Sequence, residues 1–421
     1  MIDLRRLRDD PAYRRGALDK GVNADLLDRV CAADAEHREL QQRTEELRSR
    51  SNAASRDIGR ADPAERPAKI EAAGELKAEL TALEAELATT ELELRDLALQ
   101  VPNPAHESVP VGGEDDYAVV REHGERSDPP AADHAIFGDA IGFVDTERAV
   151  RMSGSRFAYV TGPAVQLQFA LVQWVMGRLV REGFTPVVPP VLVREEMMVE
   201  AGFFPTDRAQ VYEVDSDGLF LVGTAEVALA GLHRGERLVL ADLPLRYAGY
   251  STCFRREAGT YGKDTSGIFR VHQFDKVEMF SYAAPDRSWE ELEALLALQE
   301  EIVAGLGLPY RVINVATGDL GAAAAKKYDI EVWLPSEARF RELTSCSNYT
   351  DYSARRLQTR YTGADGGGLV HTLNGTACAI GRTLVFLLEH YQRPDGSFAV
   401  PEVLQPWTGF SAVSADGTRV G

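Results

Sequence analysis

With 421 residues, 44% of them hydrophobic, the chain has material for two or three domains and an ample core. Lysine and arginine number 46 against 65 aspartates and glutamates, a formal charge of −19. That balance argues against loose, non-specific nucleic-acid binding but leaves room for a local basic face. No apolar run approaches the roughly 20 residues of a membrane span. The opening M-I-D-L-R-R-L-R-D-D lacks the apolar segment of a secretory signal, so a cytoplasmic location is expected. The four cysteines, Cys31, Cys253, Cys346 and Cys378, are far apart and form no C-x-x-C, so they read as lone core or pocket thiols.

Residues 26–58 carry a heptad pattern: Leu26, Val30, Ala33, His37, Leu40, Thr44, Leu47, Ser51, Ala54 and Ile58. A second run follows in Ala73, Leu76, Leu80, Leu83, Leu87, Thr90, Leu94 and Leu97. Between them G-R-A-D-P-A-E-R-P, Gly59 to Pro67, breaks the helix. The spacing predicts an antiparallel coiled-coil hairpin over about residues 26–99, reaching roughly 50 Å. The first helix is the more basic, with Arg29, Arg38, Arg43, Arg48, Arg50, Arg56 and Arg60. Two readings stand: a solvated spacer or dimerisation rod, and a probe whose basic helix meets a polyanion. V-P-N-P-A-H-E-S-V-P-V-G-G, from Val101, marks the end of the arm. The expected division is residues 1–105, residues 106–410, and a disordered tail at 411–421.

The second domain mixes helical stretches (Pro163–Glu182, Trp289–Leu306, Gly381–Tyr391) with strand-like runs joined by loops. That pattern favours an α+β fold, a largely antiparallel sheet flanked by helices. Its densest chemistry lies between Phe254 and Phe280, F-R-R-E-A-G-T-Y-G-K-D-T-S-G-I-F-R-V-H-Q-F-D-K-V-E-M-F. Arg255 and Glu257 share a strand face, as do Arg270, His272, Phe274, Lys276 and Glu278 if that segment is extended. Arginines clamp phosphate or carboxylate, an aromatic ring stacks on a base, and carboxylates receive ammonium groups or amines, so these residues suit ATP and a zwitterionic amino acid. The chain has no Walker loop and no G-x-G-x-x-G after a strand. G-A-D-G-G-G, Gly363 to Gly368, reads as a surface loop.

This stretch resembles motif 2 of the class II aminoacyl-tRNA synthetases in its seryl form. G-F-T-P-V-V-P-P, Gly183 to Pro190, resembles motif 1, with Pro190 as its proline. T-A-E, Thr224 to Glu226, resembles the seryl enzymes' amino-acid loop. N-G-T-A-C-A-I-G-R-T-L, Asn374 to Leu384, resembles motif 3, and R-E-L-T-S-C-S-N, Arg341 to Asn348, the strand with a metal-binding carboxylate. With the arm, the resemblance covers Met1 to about Gly409.

The resemblance implies an ATP site from Arg255, Arg256, Glu257, Arg270, Val271, Phe274, Glu342, Leu343, Thr344, Ser345 and Arg382. Arg255, Glu342 and Arg382 would be catalytic. Arg255 would hold the α-phosphate and the serine carboxylate, Glu257 the adenine amine, and Phe274 and Arg382 the two faces of the base. Glu342 and Ser345 would carry Mg²⁺, the hard ion expected with phosphates. Serine would meet Thr224, Ala225, Glu226, Arg255, Glu278, Asn374 and Thr376, its hydroxyl read by Glu278 and Thr376. The partners implied are tRNA(Ser), with tRNA(Sec) left open, through Arg29, Arg38, Arg43 and Arg48 and, at the acceptor end, Lys263 and Tyr261. A homodimer through motif 1 is also implied. Blander readings stay open for single residues: Thr376 as a helix N-cap, Thr224 as the cap of a short helix, and Arg382 as a capped surface residue. Two other functions compete: a ligase loading a carrier protein, and an inactive coiled-coil regulator.

Overall fold

The computed structural model describes residues 1–259, 267–364 and 366–421. The chain falls into two compact units, Met1–Glu107 and Ser108–Gly421.

In the first unit two short helices, Leu4–Asp9 and Pro11–Asp19, start at Asp3 and Asp10, whose carboxylates accept backbone N–H groups of the first turn. The arm follows as α1 (Ala24–Arg60), capped by Asn23, and α2 (Arg66–Leu99), with a proline in its first turn. The expected seam is the observed one: Val30, Ala33, Leu40, Thr44 and Leu47 are buried on α1, and Leu83, Thr90, Leu94 and Leu97 on α2. At the N-terminal end the buried leucine is Leu27 rather than Leu26. Leu40, Leu47 and Leu83 form a separate small core. The polar seam residues satisfy themselves, Thr44 Oγ1 donating to Leu40 O at 2.7 Å and Thr90 Oγ1 to Glu86 O at 3.1 Å.

The second unit is built on eight strands: β1 (Ala118–His123), β2 (Thr185–Val187), β3 (Leu245–Phe254), β4 (Gln273–Ala283), β5 (Tyr310–Asn314), β6 (Lys326–Leu334), β7 (Arg339–Asn348) and β8 (His371–Ala379). They lie in the order β1-β5-β6-β7-β8-β4-β3-β2. Every pair is antiparallel except edge strand β2, which runs parallel to β3. Three helices bury their apolar faces in the main core: α3 (Pro163–Arg181), α4 (Ser288–Gly305) and α5 (Ile380–Tyr391). On α3 the buried Leu167, Leu171, Val175 and Leu179 recur every four residues, one stripe of a helix.

Strand β4 shows how the sheet separates core from site. Val277 and Met279 enter the main core, while Phe280 and Tyr282, on the other face, enter a second one. Phe274, Lys276 and Glu278 continue that second face, as alternation requires. The strand begins only at Gln273, however, so Arg270 and His272 are not part of the row. His272 turns back instead, its Nδ1 2.8 Å from Arg255 O and its own carbonyl accepting from Arg255 N at 2.9 Å.

Two further expectations need correction. The tail is ordered: Phe398–Ala399 (β9), Ala412–Val413 (β10) and Arg419–Val420 (β11) form a three-stranded sheet. Val413, fully buried in the main core beside Phe398, gives this hairpin an anchor that its polar sequence conceals. The glycine-rich run near residue 365 contains two short paired strands, Arg360–Gly363 and Gly366–Leu369. Glycine permits the close approach, because a Cβ at Gly367 would stand 2.6 Å from Tyr361 O.

Candidate active site

Four neighbouring strands bring the motifs together. Arg255 follows the end of β3, Phe274 to Glu278 lie on β4, Asn374 and Thr376 on β8, and Glu342 and Ser345 on β7. Arg255, Phe274, Lys276, Asn374, Thr376, Glu342 and Ser345 surround one cleft of about 360 Å³, also lined by Thr224, Glu226, Glu257, Arg270, Val271, Leu343 and Arg382, while Glu278 is fully buried behind Thr224, Lys276 and Asn374.

At one end of the cleft the groups are cationic and aromatic. Arg255 donates from Nε to Gly223 O at 3.1 Å, and its guanidinium carbon lies 5.3 Å from the Phe274 ring centre. Glu257 has φ of 50°, in the left-handed region, and pairs with Arg270 at 2.7 Å. The next residue is clamped by Gln210, whose side chain donates to Ala258 O at 3.0 Å and accepts from Ala258 N at 2.9 Å. Arg382 lies over Phe269 at 5.1 Å and donates to the Glu342 carboxylate at 3.3 Å and carbonyl at 3.1 Å. It is therefore a site residue, not a capped surface arginine. Burial acts to raise the Glu342 pKa, but Arg382, Lys327 and Arg255 outweigh it and bring it to about 2.

Simple alternation would place Glu342 and Ser345, three apart, on opposite faces of β7. The register against β6 slips by one residue at Leu343, since Ile330 faces Thr344 while Glu331 faces Glu342. This bulge puts both residues on the cleft. It also turns Thr344 away: that residue is 2% exposed and absent from the lining. Behind the site Gln299 of α4 donates to Ser345 O at 2.7 Å and Thr376 O at 2.9 Å, tying β7 to β8.

The other end of the cleft is a buried polar network. Glu278 is paired with Lys276 and accepts from Thr224 Oγ1 at 3.1 Å. Asn374 Nδ2 donates to Glu226 at 2.7 Å and lies 3.5 Å from Glu278. Burial, reinforced by the charge of Glu278, pushes the Glu226 carboxyl up to about 8, against the pull of Lys276, Tyr349 and Asn374. Glu278 faces Thr376 directly across the β4–β8 ladder. Thr376 thus lies within a strand and caps no helix. Thr224 does accept from Glu226 N, at 3.3 Å, at the start of the short helix Glu226–Ala230.

Arg256 does not line the cleft. It is exposed and lies over the Tyr212 ring at 5.7 Å, because the chain alternates as it leaves β3. Ala225 is fully buried as backbone support. Lys263 and Tyr261 lie outside the described residues. Phe269, Lys327 and Tyr349 line the cleft without having been expected there. Phe269 adjoins the motif 2 arginine and was legible as an aromatic residue, whereas Lys327 and Tyr349 carry no local signal. Among the described residues no cluster of three or more metal-ligating side chains occurs. In the first unit Arg38 pairs with Asp34 at 3.1 Å and Arg48 with Glu84 at 2.7 Å, while Arg29 and Arg43 are exposed without an ion-pair partner among the described residues.

The antiparallel sheet, with a carboxylate on β7 and arginines just past β3 and on α5, defines a class II aminoacyl-tRNA synthetase core. A model described as the tRNA synthetase class II core domain (G, H, P, S and T) matches residues 211–391, and one for the seryl-tRNA synthetase N-terminal domain matches residues 1–105. A serine–tRNA ligase of Mycobacterium tuberculosis is 48% identical, over 97% of this chain and 98% of its own length. One from Thermobifida fusca is 47% identical over the same shares. The solved seryl-tRNA synthetase of Pyrococcus horikoshii, complexed with ATP, superposes with a TM-score of 0.91 at 36% identity, covering 98% of this chain and 99% of that one. The cytoplasmic serine–tRNA ligase of Naegleria fowleri, in complex with AMP, gives 0.88 at 32% identity over 100% and 98%. This chain belongs to the seryl-tRNA synthetase family.

Proposed function

We propose that the chain activates L-serine with ATP to seryl-adenylate and pyrophosphate, then transfers the seryl group to the terminal adenosine of tRNA(Ser). The observation that carries this reading is the two-ended cleft: arginines and aromatics at one end and a buried carboxylate pair at the other. Arg255 draws the α-phosphate and the serine carboxylate together and neutralises charge as the carboxylate attacks phosphorus. Phe274 and Arg382 flank the adenine, with Glu257 at its amine. Glu226 receives the substrate ammonium. The Thr224 hydroxyl already has its proton and both lone pairs engaged by Glu278, Lys276 and the Glu226 N–H, so it shapes this end of the pocket. Glu278 and Thr376 read the substrate hydroxyl, and alanine, lacking it, leaves a buried carboxylate unpaired.

Glu342 and Ser345 fit a Mg²⁺ ion: a strongly acidic carboxylate and a hydroxyl share one cleft face, where phosphate oxygens complete a hard ligand set. When bound, the ion would neutralise phosphate charge. Exposed Phe169, Val180 and Val188, beside edge strand β2 and Pro190, support a homodimer through this face. Among the described residues no helix is long and apolar enough to cross a membrane, and we place the enzyme in the cytoplasm. Pyrophosphate exchange into ATP is expected to require serine. Exchange driven equally by glycine or alanine overturns the reading.

A further inference from the structure

Lys276 is an unusual residue for the floor of a cleft. It is 5% exposed, in a strand whose other face enters the main core. A buried ammonium needs compensation, and here a carboxylate and a hydroxyl supply it. Its Nζ pairs with the Glu278 carboxylate and donates to Thr224 Oγ1 at 2.8 Å. Thr224 in turn donates to Glu278 Oε2 at 3.1 Å, closing a ring of ammonium, hydroxyl and carboxylate. All three residues are buried. Both ring contacts to Glu278 use Oε2, whereas Oε1 has a long contact from Asn374 Nδ2, at 3.5 Å. That leaves Oε1 with unused acceptor capacity.

We infer that Lys276 is a positioning and specificity residue for serine: with Thr224 it pins one oxygen of Glu278, so that the other is held for the substrate hydroxyl. The inference rests on the serine reading of the pocket. It gives the ammonium a second task. Two carboxylates, Glu226 and Glu278, share this end of the cleft, and like charges so close cannot both stand uncompensated. Lys276 lies against one of them, Glu278. The other holds a proton in the empty pocket near neutral pH, as its raised titration point requires, and gives it up to meet the substrate ammonium. The local charge then balances both with and without serine. A methionine at position 276 would leave Glu278 without its cation and free to turn. The penalty for a missing substrate hydroxyl then shrinks, because the oxygen it leaves unpaired is no longer fixed.

The test is serine- and alanine-dependent pyrophosphate exchange in the full-length protein and in K276M, E278Q and K276M/E278Q. For K276M we expect a serine KM raised roughly 30-fold or more, a serine-over-alanine preference in kcat/KM reduced about tenfold, and an ATP KM within about twofold of wild type. In the E278Q background, where no carboxylate remains to be pinned, the same lysine change should alter serine KM less than about threefold. The double variant removes the pair together, so it remains informative if K276M alone does not fold. An equal K276M effect in both backgrounds, or an ATP KM that rises in step with serine KM, identifies Lys276 as a fold support and overturns the inference. Unchanged serine KM and unchanged preference in K276M overturn it also. If serine fails to drive exchange in the wild type, it is the serine reading that falls, and the inference with it.

Discussion

Glu226 is 4% exposed, faces a second carboxylate, and titrates near 8 against an ordinary 4.5. A raised carboxyl pKa means that the unfolded chain gives up this proton first. Stability therefore declines as pH rises from about 4.5 through about 8, by a few kcal/mol in order of magnitude, and E226Q should flatten that decline in thermal melts. Serine binding follows the opposite trend, because only the ionised form meets the substrate ammonium. Between pH 8 and pH 7 the competent fraction falls, and serine KM should rise roughly fivefold. An E226Q enzyme with the same KM slope would assign the proton elsewhere. At this scale much was legible beforehand: Arg255, Glu257, Phe274, Glu342 and Arg382 line the cleft, and Glu278 touches three residues that do. The misplacements share one cause. Arg256, His272 and Thr344 were assigned by extended alternation or by motif position, and their side chains are turned by the chain leaving β3, the late start of β4 and the slip in β7, whereas Arg270 reaches the cleft from outside the strand.

The arm is the element most open to a clean experiment. Its heptads predicted both helices and the break between them, because a repeating apolar spacing states its period without tertiary help. Its function is another matter, since periodicity describes a seam and not what the outer surface meets. The seam holds few leucines, so L40D with L83D should unfold the hairpin, visible as lost helicity in circular dichroism. Such a variant, like deletion of residues 27–99, is expected to keep serine-dependent exchange while tRNA charging falls by at least about 100-fold, the loss that a tRNA contact through the arm worth about 3 kcal/mol would produce. Charging left intact would make the arm a spacer. The tail misled for the reverse reason: a short polar segment holds few apolar residues, and Val413 finds its place only because the core beside Phe398 is already built.

For the whole molecule the formal charge of −19 opposes a polyanion, so nucleic-acid binding must be local. Raising salt should weaken tRNA charging through KM, with little effect on serine-dependent exchange, whose charges are enclosed. The exposed arm arginines differ in what they have left to offer. Arg38 and Arg48 already hold carboxylate partners, whereas Arg29 and Arg43 have no ion pair among the described residues. Alanine at Arg29 and Arg43 together should lower the salt slope by about one to two, and R48A by less. Equal slopes would place the contact on another surface. Sequence reading could count these arginines but not rank them, because their ion pairs depend on the register of two helices and on the short helices before the arm, whose Arg8 shares Asp34 with Arg38.

A β-strand is a parity code: odd residues go one way and even residues the other. The slip at Leu343 is a single inserted symbol, and everything before it is read in the opposite phase from everything after it. Glu342 and Ser345 agree in direction only because the insertion lies between them. Their common direction is thus written by a residue that is neither of them. Deleting Leu343 would keep both side chains facing the cleft and leave their span unchanged, because Glu331 and Asp329, which face Glu342 and Ser345 on β6, are already two residues apart. The one residue costs a bend and supplies only the phase.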